Sequence, residues 1–386
     1  MRALVAFDKF KDALTARAAG ETAANALRIS HPDWEIDVCP LTDGGEGFCE
    51  TLLAGPGERI EHLSVRGPRG GTVSAPVGFA SSSARPEAAR RRMGLGSEQK
   101  LAVIGLAAAS GLELLPRHRR DPWQTTTFGT GELLAYAAHE NADAILLGIG
   151  GSATNDLGLG ALTALGAHFY DAHGVRIPTP KPANWESIRR IDVASLRRLP
   201  PLFIACDVTN PLLGPRGATA TFGPQKGLTA SDVPRLEAQM VRMAALLAEA
   251  CGRPLTTAEI PGAGAAGGIS FGLMIAAKAQ LLPGFDLVSD WLDLPARIAT
   301  ADLVITGEGC FDATSLHGKG PGSLVREALR LGKPVQVFAG SVDRPNLPAQ
   351  LPTGLKSHAI TPTEMPLAEA LPRTAELLAA AIRDAL

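Results

Sequence analysis

Six short polar or glycine-rich segments each begin where a run of apolar residues ends, and this arrangement restricts the fold more than any other feature of the sequence. Uninterrupted apolar strands separated by amphipathic helices are typical of a mostly parallel sheet covered on both faces. Ligands of such sheets bind outside the carboxyl ends of the strands, so we expect the six segments to converge on one cleft. They are FDKFKD (7–12), TDGGEG (42–47), GIGGSATND (148–156), CDVTNP (206–211), TGEG (306–309) and AGSVD (339–343).

The alternation of strands and helices predicts an α/β protein with two domains. The first and last thirds of the chain both have the pattern of a doubly wound parallel sheet. We therefore predict a discontinuous domain of residues 1–66 and 265–386, with a second α/β domain of residues 67–264 inserted into it. The Ser-, Ala- and Arg-rich stretch 80–100 is predicted to be a surface loop or insertion, and residues 366–386 one amphipathic helix. The predicted strands are 3–7, 36–41, 101–106, 144–149, 202–205, 302–306, 335–339 and 358–360.

Composition excludes several classes of protein. The 37 basic and 39 acidic residues nearly cancel, which disfavours binding to nucleic acid or to an anionic membrane. No apolar stretch reaches the roughly 18 uncharged residues of a membrane span. Five cysteines without CxxC or metal-ligand spacing, and charged residues within the first dozen positions, predict a cytoplasmic protein with reduced thiols. Either a monomer or a homodimer is compatible with the sequence.

The segment GIGGSATND has the pattern of an anion-binding turn. Gly150 and Gly151 let the backbone approach a ligand, and the next helix would present free N–H groups. Ser152 and Asn155 add a hydroxyl and an amide to the same turn. A tight strand-to-helix connection with a Ser or Asp helix cap explains the pattern equally well.

Carboxylates lie beside glycines in two other segments. Asp43 and Glu46 in TDGGEG, and Glu308 in TGEG, suit Mg²⁺, which takes one or two carboxylates together with water and phosphate oxygens. Each is also a common turn former. Asp207 could accept the proton of an attacking hydroxyl while Arg216 pairs with a substrate carboxylate, although an Asx-turn and a surface arginine remain open.

The segment PGAGAAGG (261–268) contains GxGxxG, and Asp286 follows near the distance of a ribose-binding acid. This pattern leaves an NAD(P)-dependent hydroxy-acid dehydrogenase as an alternative. A short preceding strand and Pro261 in the turn favour a second glycine-rich ligand loop instead. No GxxxxGK[ST] occurs, so a kinase with this sequence is not of the P-loop type.

The chain resembles the type I glycerate kinase family over nearly its whole length. The resemblance implies two α/β domains, one of them flavodoxin-like and discontinuous, and phosphorylation of D-glycerate with ATP and Mg²⁺. The product of bacterial members is commonly 2-phosphoglycerate. The segments that carry the resemblance are FDKFKDALTA, TDGGEG, AAASGLELLP, TTTFGTGELL, GIGGSATNDLGLG, CDVTNPLLGPRGA, FGPQKG, PGAGAAGG and ITGEG followed by LHGK.

For a phosphoryl transfer, which needs positioning and charge neutralisation more than a nucleophile, we assign hypothetical roles to these candidates. Asp207 is the proton acceptor, and Lys11 contacts the phosphates. Asp43 and Glu308 hold Mg²⁺. The phosphate-binding and ATP-binding candidates are Gly150, Gly151, Ser152, Gly264, Gly267 and Lys319, and the substrate-binding candidates are Arg216, Asn210 and Asn155.

The sequence departs from the family pattern at a few positions. Phe7, Asp8 and Lys9 replace a usual proline-aspartate-serine, and Gly105 replaces an acidic residue. Two further departures are Cys310 for arginine and Thr314 for glutamine. Since lost charges could alter regiospecificity, a 3-phosphoglycerate-forming kinase and a non-catalytic carboxylate sensor stay open beside the dehydrogenase.

Overall fold

The computed structural model of the protein describes residues 1–55, 57–312, 315, 320–343, 346–347 and 351–386. These residues form two compact α/β units. The first unit comprises Met1–Asp43, Pro86–Ala89 and Phe285–Leu386, and the second comprises Gly44–Arg85 and Arg90–Gly284. Their boundaries lie at 43 and 285, whereas the predicted ones lie at 66 and 265, because residues 59–66 and 265–277 belong to the sheet and core of the second unit.

Regular elements follow one another along the whole described chain. The strands are β1 (Arg2–Phe7), β2 (Glu35–Val38), β3 (Arg59–Arg66), β4 (Thr72–Ser81), β5 (Lys100–Gly105), β6 (Ala144–Gly148), β7 (His168–Tyr170), β8 (Arg176–Ile177), β9 (Arg190–Asp192), β10 (Leu202–Ala205), β11 (Gln280–Leu282), β12 (Leu303–Phe311), β13 (Val335–Val342) and β14 (Leu355–Ala359). The helices are α1 (Ala16–Ser30), α2 (Phe48–Leu52), α3 (Glu87–Met93), α4 (Ala107–Ser110), α5 (Phe128–His139), α6 (Leu159–Ala164), α7 (Ala218–Phe222), α8 (Val233–Ala250), α9 (Ala265–Ala277), α10 (Gly284–Trp291), α11 (Leu294–Thr300), α12 (Pro321–Arg330), α13 (Leu367–Ala370) and α14 (Thr374–Ala385). Short 3-10 turns occur at Ser82–Ala84, Arg117–Arg119, Pro182–Ser187, Pro224–Lys226, Leu255–Glu259 and Leu371–Arg373.

The first unit contains a parallel sheet in the order β2-β1-β12-β13-β14. This is the flavodoxin-like order of a doubly wound fold, as predicted. Side chains of β1 alternate between two cores. Ala3 and Val5 pack in the core that includes α1 and α14, while Leu4 and Ala6 pack in the core that includes α12. Thr15 caps α1, since its hydroxyl accepts a hydrogen bond from the Ala18 N–H at 3.1 Å.

The second unit contains a mixed sheet in the order β11-β10-β6-β5-β4-β3. Strands β5, β6, β10 and β11 are parallel, and β3 and β4 extend the sheet as an antiparallel hairpin. A small antiparallel sheet of β8, β7 and β9 accompanies it. Gly148 at the end of β6 pairs with Gly105 of β5 and Ala205 of β10. The polar segments that follow β6 and β10 therefore leave the sheet at the same edge.

Two predicted elements differ in the structure. The stretch 80–100 is partly a helix, because Ala89 and Met93 of α3 are buried. The predicted helix over 366–386 is two helices, α13 and α14, separated by a 3-10 turn that contains Pro372, whose missing N–H cannot continue a helix. In the part of the chain that the structure describes, no helix has the length and apolar character that crossing a bilayer requires.

Candidate active site

A group of carboxylates lies where β1 ends beside β12 in the first unit. Phe7 and Gly307 are the last register partners of the two strands, and the Asp8 N–H donates to the Gly307 carbonyl at 3.0 Å. Asp8 therefore follows β1 directly, whereas Glu308 lies inside β12, which continues to Phe311 instead of ending at the predicted residue 306. Burial raises the pKa of Asp8 to about 7. The negative charges of Asp43 and Glu308 add to the rise, and the positive charge of Lys9 opposes it.

Glu308 is a partly desolvated carboxylate. Burial raises its pKa to about 7, with Asp312 and Asp43 contributing in the same direction and a hydrogen bond with Ser315 opposing. Its Oε1 atom is buried and has no hydrogen-bond partner among the described residues. A buried oxygen of this kind calls for an unseen partner such as an ion. Glu308 thus has the donor chemistry that Mg²⁺ requires.

Asp43, the other predicted metal ligand, is close enough to Asp8 and Glu308 for its charge to act on both. Its Oδ1 lies 3.4 Å from Lys9 Nζ, in an ion pair that is partly exposed. Within the described ranges, no three His, Cys, Asp or Glu side chains form a complete metal-binding group. A site here would therefore rely on few protein ligands, as Mg²⁺ sites commonly do.

Of the two lysines predicted to contact phosphates, only Lys11 lies among the described residues. Lys11 is exposed, and its backbone N lies 3.5 Å from where a Cβ on Gly309 would be, so it neighbours the residue after Glu308. Lys319 lies outside the described residues, as does Thr314. A Cβ on Gly320 would lie 3.2 Å from Asp8 Oδ2, which places the start of α12 beside the carboxylates.

In the second unit, the segment after β6 packs directly on the segment 44–46. The Gly150 N–H donates to the Gly44 carbonyl at 2.9 Å, and a Cβ on Gly150 would lie 2.7 Å from Gly45 N. Gly151 has φ 68°, and a Cβ there would lie 2.8 Å from Glu46 Cδ. The glycines are thus required by close backbone packing and by a left-handed conformation. A carboxylate already lies against the predicted anion-binding turn.

Lys226, to which no role is assigned from the sequence, holds Ser152 and Thr154. The Lys226 side chain is fully buried, and its Nζ donates to Ser152 Oγ at 2.8 Å and to the Thr154 carbonyl at 2.6 Å. Burial lowers the pKa of Lys226 to about 7, against the opposing charge of Asp156. The sequence signal was its place in the motif FGPQKG.

Asn155 and Asp156 lie beneath the turn and are completely buried. Asn155 Nδ2 donates to Thr219 Oγ1 at 3.3 Å, and its Oδ1 has no hydrogen-bond partner among the described residues. Asp156 accepts hydrogen bonds from the backbone of Gly158 and Gly160. Burial raises the pKa of Asp156, while its hydrogen bonds, those with Thr127 first, lower it. Asp156 therefore fixes the turn from inside.

The segment after β10 joins the glycine-rich segment 261–268. The Asn210 carbonyl accepts hydrogen bonds from Gly262 N and Gly264 N at 3.2 and 3.1 Å. Asn210 Nδ2 donates to the Arg216 carbonyl at 2.7 Å, and the Arg216 side chain is exposed. Asp207 is half-buried, and a Cβ on Gly284 would lie 2.9 Å from its Oδ2.

Gly264 and Gly267 are also explained by packing. A Cβ on Gly264 would lie 3.0 Å from the carbonyl carbon of Pro211. Gly267 has φ 73°, and a Cβ there would lie 2.6 Å from the Cα of Asn155. A 3-10 turn, Leu255–Glu259, precedes the segment, so its GxGxxG lacks the strand that a dinucleotide-binding fingerprint needs. This observation disfavours the dehydrogenase alternative.

Each unit thus brings some predicted residues together. The first holds Asp43, Glu308 and Lys11 near one strand edge, and there Asp8 is the residue whose importance the sequence did not reveal. The second unit joins the segments at 44–46, 148–156, 206–211 and 261–268. Convergence of all six segments on one cleft stays a prediction.

Comparison with known proteins shows a similarity that extends over the whole chain. The model of the glycerate kinase family matches residues 3–386. The chain belongs to the glycerate kinase family. A glycerate kinase of Bacillus subtilis is 37% identical over 388 residues, covering 100% of this chain and 96% of the relative. The glycerate 2-kinase of Escherichia coli is 38% identical over 345 residues, covering 89% and 86%.

The fold is that of the glycerate kinase family as well. A crystal structure from Salmonella typhimurium LT2 that bears the name glycerate kinase 2 superposes with a TM-score of 0.76 at 38% identity. The match covers 100% of this chain and 96% of that one. The predicted family and α/β fold are confirmed. Membership also makes the protein an enzyme of the phosphotransferase class with an alcohol group as acceptor, as predicted.

Proposed function

We propose that the protein transfers the γ-phosphoryl group of ATP to a hydroxyl of D-glycerate and forms 2-phosphoglycerate. The observation that carries this proposal is the relation, over nearly the whole chain, to proteins named glycerate kinase. The Escherichia coli relative named glycerate 2-kinase supports the choice of hydroxyl. A cytoplasmic location and a monomeric or homodimeric state stay predictions.

In this proposal Asp43 and Glu308 hold Mg²⁺. Two observations support the assignment: among the described residues the Glu308 Oε1 has no hydrogen-bond partner, and the negative charges of the two carboxylates repel each other. A divalent cation would bind this oxygen and offset the repulsion. When bound, Mg²⁺ neutralises negative charge on the phosphate oxygens. Lys11 and Lys319 add positive charge, and a flexible lysine can follow a phosphoryl group during transfer.

The turn of Gly150, Gly151 and Ser152, together with Gly264 and Gly267, binds the phosphates of ATP in this proposal. Left-handed backbone at Gly151 and Gly267 and the lack of side chains let main-chain N–H groups approach an anion. The Glu46 carboxylate near Gly151 has to move away when the phosphate arrives, since like charges repel.

Asp207 accepts the proton of the attacking hydroxyl, and Arg216 binds the carboxylate of glycerate. The exposed Arg216 side chain is available for a bidentate pair, and its backbone is fixed by Asn210. Asp207 is half-buried at the end of β10, where ligands of such sheets bind. Asn210 and Asn155 complete the substrate-binding set.

An ATP- and Mg²⁺-dependent turnover assay with D-glycerate, with the product identified by ³¹P NMR, tests this function. We expect 2-phosphoglycerate. A 3-phosphate product would keep the enzyme class and overturn the regiospecificity. Absence of turnover, with ATP still bound in a separate titration, would overturn the choice of glycerate and favour another hydroxy acid or a carboxylate sensor.

A further inference from the structure

Lys226 is a buried cationic side chain that the proposed reaction does not use. It ends the 3-10 turn Pro224–Lys226 and precedes Gly227, which has φ 98°. Its side chain is only 1% exposed. Lysines are almost never buried to this degree without partners, because taking an ammonium group out of water costs several kcal/mol. Interactions of the Lys226 amino group with its neighbours must therefore offset this cost.

The partners of Lys226 lie in the glycine-rich turn. Nζ donates to Ser152 Oγ at 2.8 Å and to the Thr154 carbonyl at 2.6 Å, so one amino group spans three consecutive residues. Asp156 supplies the opposite charge that acts on this group. Both bonds are shielded from water, which strengthens them.

The same turn is also held by the backbone at the end of α4 and just after it. Leu112 N–H donates to the Gly151 carbonyl at 2.7 Å, and Ala153 N–H donates to the Ser110 carbonyl at 2.9 Å. Lys226 thus holds Ser152 and Thr154, while the backbone of 110–112 holds Gly151 and Ala153. The turn can adopt few conformations between these two supports.

The protonation state of Lys226 suits this task. Burial lowers its pKa to about 7. A neutral amine keeps two N–H donors, which match its two acceptors, and the ammonium form adds a third donor. Ser152 Oγ and the Thr154 carbonyl are satisfied in either form.

We propose that Lys226 is a positioning residue, which holds Ser152 and the backbone of Thr154 in the conformation that binds the phosphates of ATP. The inference rests on the proposed role of the turn at Gly150–Ser152. Lys226 itself acts through Ser152 and does not contact the ligand. Its loss should therefore weaken the binding of ATP more than it slows the chemical step.

The test compares Lys226→Met, which keeps the aliphatic stem, with the wild type in steady-state kinetics. We expect the KM for ATP to rise about tenfold or more, because small misplacements of binding groups are costly, while kcat changes less than about twofold. Lys333→Met is the matched control. Lys333 Nζ also donates to a backbone carbonyl, that of Ala299 at 2.8 Å, but at the surface of the first unit.

Two further measurements separate positioning from mere structural support. In Lys226→Ala, ethylammonium should restore a low KM for ATP, whereas ethanol at the same concentration should not. The double variant Ser152→Ala/Lys226→Met should resemble Lys226→Met, because two residues that act through one contact are not additive. If a Lys226 variant does not fold, Ser152→Ala still removes one of the two acceptors of Lys226, and its KM for ATP then measures the contribution of that contact.

The outcomes are distinct. A wild-type enzyme without glycerate turnover overturns the proposed function. An active wild type whose Lys226→Met variant keeps its KM for ATP, with kcat reduced in proportion to the folded fraction seen by circular dichroism, overturns the positioning role. Additive effects of Ser152→Ala and Lys226→Met also contradict it.

Discussion

Thr127 donates two hydrogen bonds to the same carboxylate oxygen of Asp156. Its backbone N–H lies 2.8 Å and its hydroxyl 2.9 Å from Oδ2, and all these groups are completely buried. The contact ties the segment that begins α5 to the turn that follows β6. Both carboxylate oxygens of Asp156 accept hydrogen bonds, and every partner is an N–H or O–H donor.

Replacing this carboxylate should destabilise the second unit. In Asp156→Asn the amide would face buried donors with its own N–H groups, and hydrogen bonds to a charged group contribute about 1.5–3 kcal/mol each. We expect the free energy of unfolding, from urea denaturation, to fall by about 3 kcal/mol. Asp171→Asn is the control, because its exposed carboxylate accepts two backbone N–H groups that an asparagine can also satisfy. Equal losses in the two variants would contradict the assignment.

Gly267→Ala should destabilise the protein more than the positive φ angle of this residue alone explains. A Cβ there would lie 2.6 Å from the Cα of Asn155, so the backbone must shift. Gly174 has a similar φ of 76° but no atom within 4 Å of its Cβ position. We expect a loss of about 1 kcal/mol in Gly174→Ala from strain alone and clearly more in Gly267→Ala. Thermal unfolding of both variants measures the difference, and similar melting temperatures would refute it.

Lys226 should make stability depend on pH. Its pKa is about 7 in the folded protein and 10.5 in its ordinary state. Between these values the unfolded chain binds a proton that the folded protein does not, so the free energy of unfolding rises with pH, by up to about 1.4 kcal/mol per unit. The difference between wild type and Lys226→Met, from urea denaturation at pH 7 to 9, should grow in favour of the wild type. Parallel pH curves would show that Lys226 keeps an ordinary pKa.

Glu308→Gln should weaken the response to Mg²⁺. The amide removes the negative charge while keeping the size of the side chain, so we expect the Mg²⁺ concentration for half-maximal turnover to rise about tenfold or more. Glu327→Gln is the matched control in the same unit, since Glu327 pairs with Arg330 at the surface. An unchanged Mg²⁺ titration in Glu308→Gln removes this residue from the metal site.

Asp207→Asn should reduce kcat by about 10²- to 10⁴-fold, the usual contribution of a general base. The KM for glycerate should change little, because the substrate carboxylate is bound elsewhere in the proposal. Asp192→Asn serves as the control, since Asp192 caps the backbone N–H of Ala194 at the surface. A full rate in Asp207→Asn would exclude this carboxylate as the proton acceptor.

Most of the parallel sheets could be predicted from the sequence, because buried central strands are continuous apolar runs. The strand Leu202–Ala205 is found with its predicted ends, and β6 differs by one residue. The hairpin of β3 and β4 was not predicted. In β3 only Val65 is buried, and β4 contains Pro76, so neither strand has the apolar signature of its neighbours.

The candidate site was predictable only in part. The candidates after β1, β6 and β10 could be located, because strand ends determine where ligands bind, whereas Glu308 lies inside β12, which is longer than predicted. The properties of Asp8 and Lys226 could not, since each depends on burial by residues far away in the chain. A lysine inside a core has no periodic signal, so the motif FGPQKG marked Lys226 as noteworthy without indicating that it is buried.

The position of β1 between β2 and β12 in its sheet affects how the chain is made. Ala6 accepts a hydrogen bond from Thr306, 300 residues later, so β1 leaves the ribosome long before the strand on one side of it exists. Contacts of such long separation form slowly. The second unit, by contrast, is complete once residue 284 has been synthesised. The nascent first strand, apolar from Ala3 to Phe7, therefore has to be kept from aggregating until translation is nearly finished.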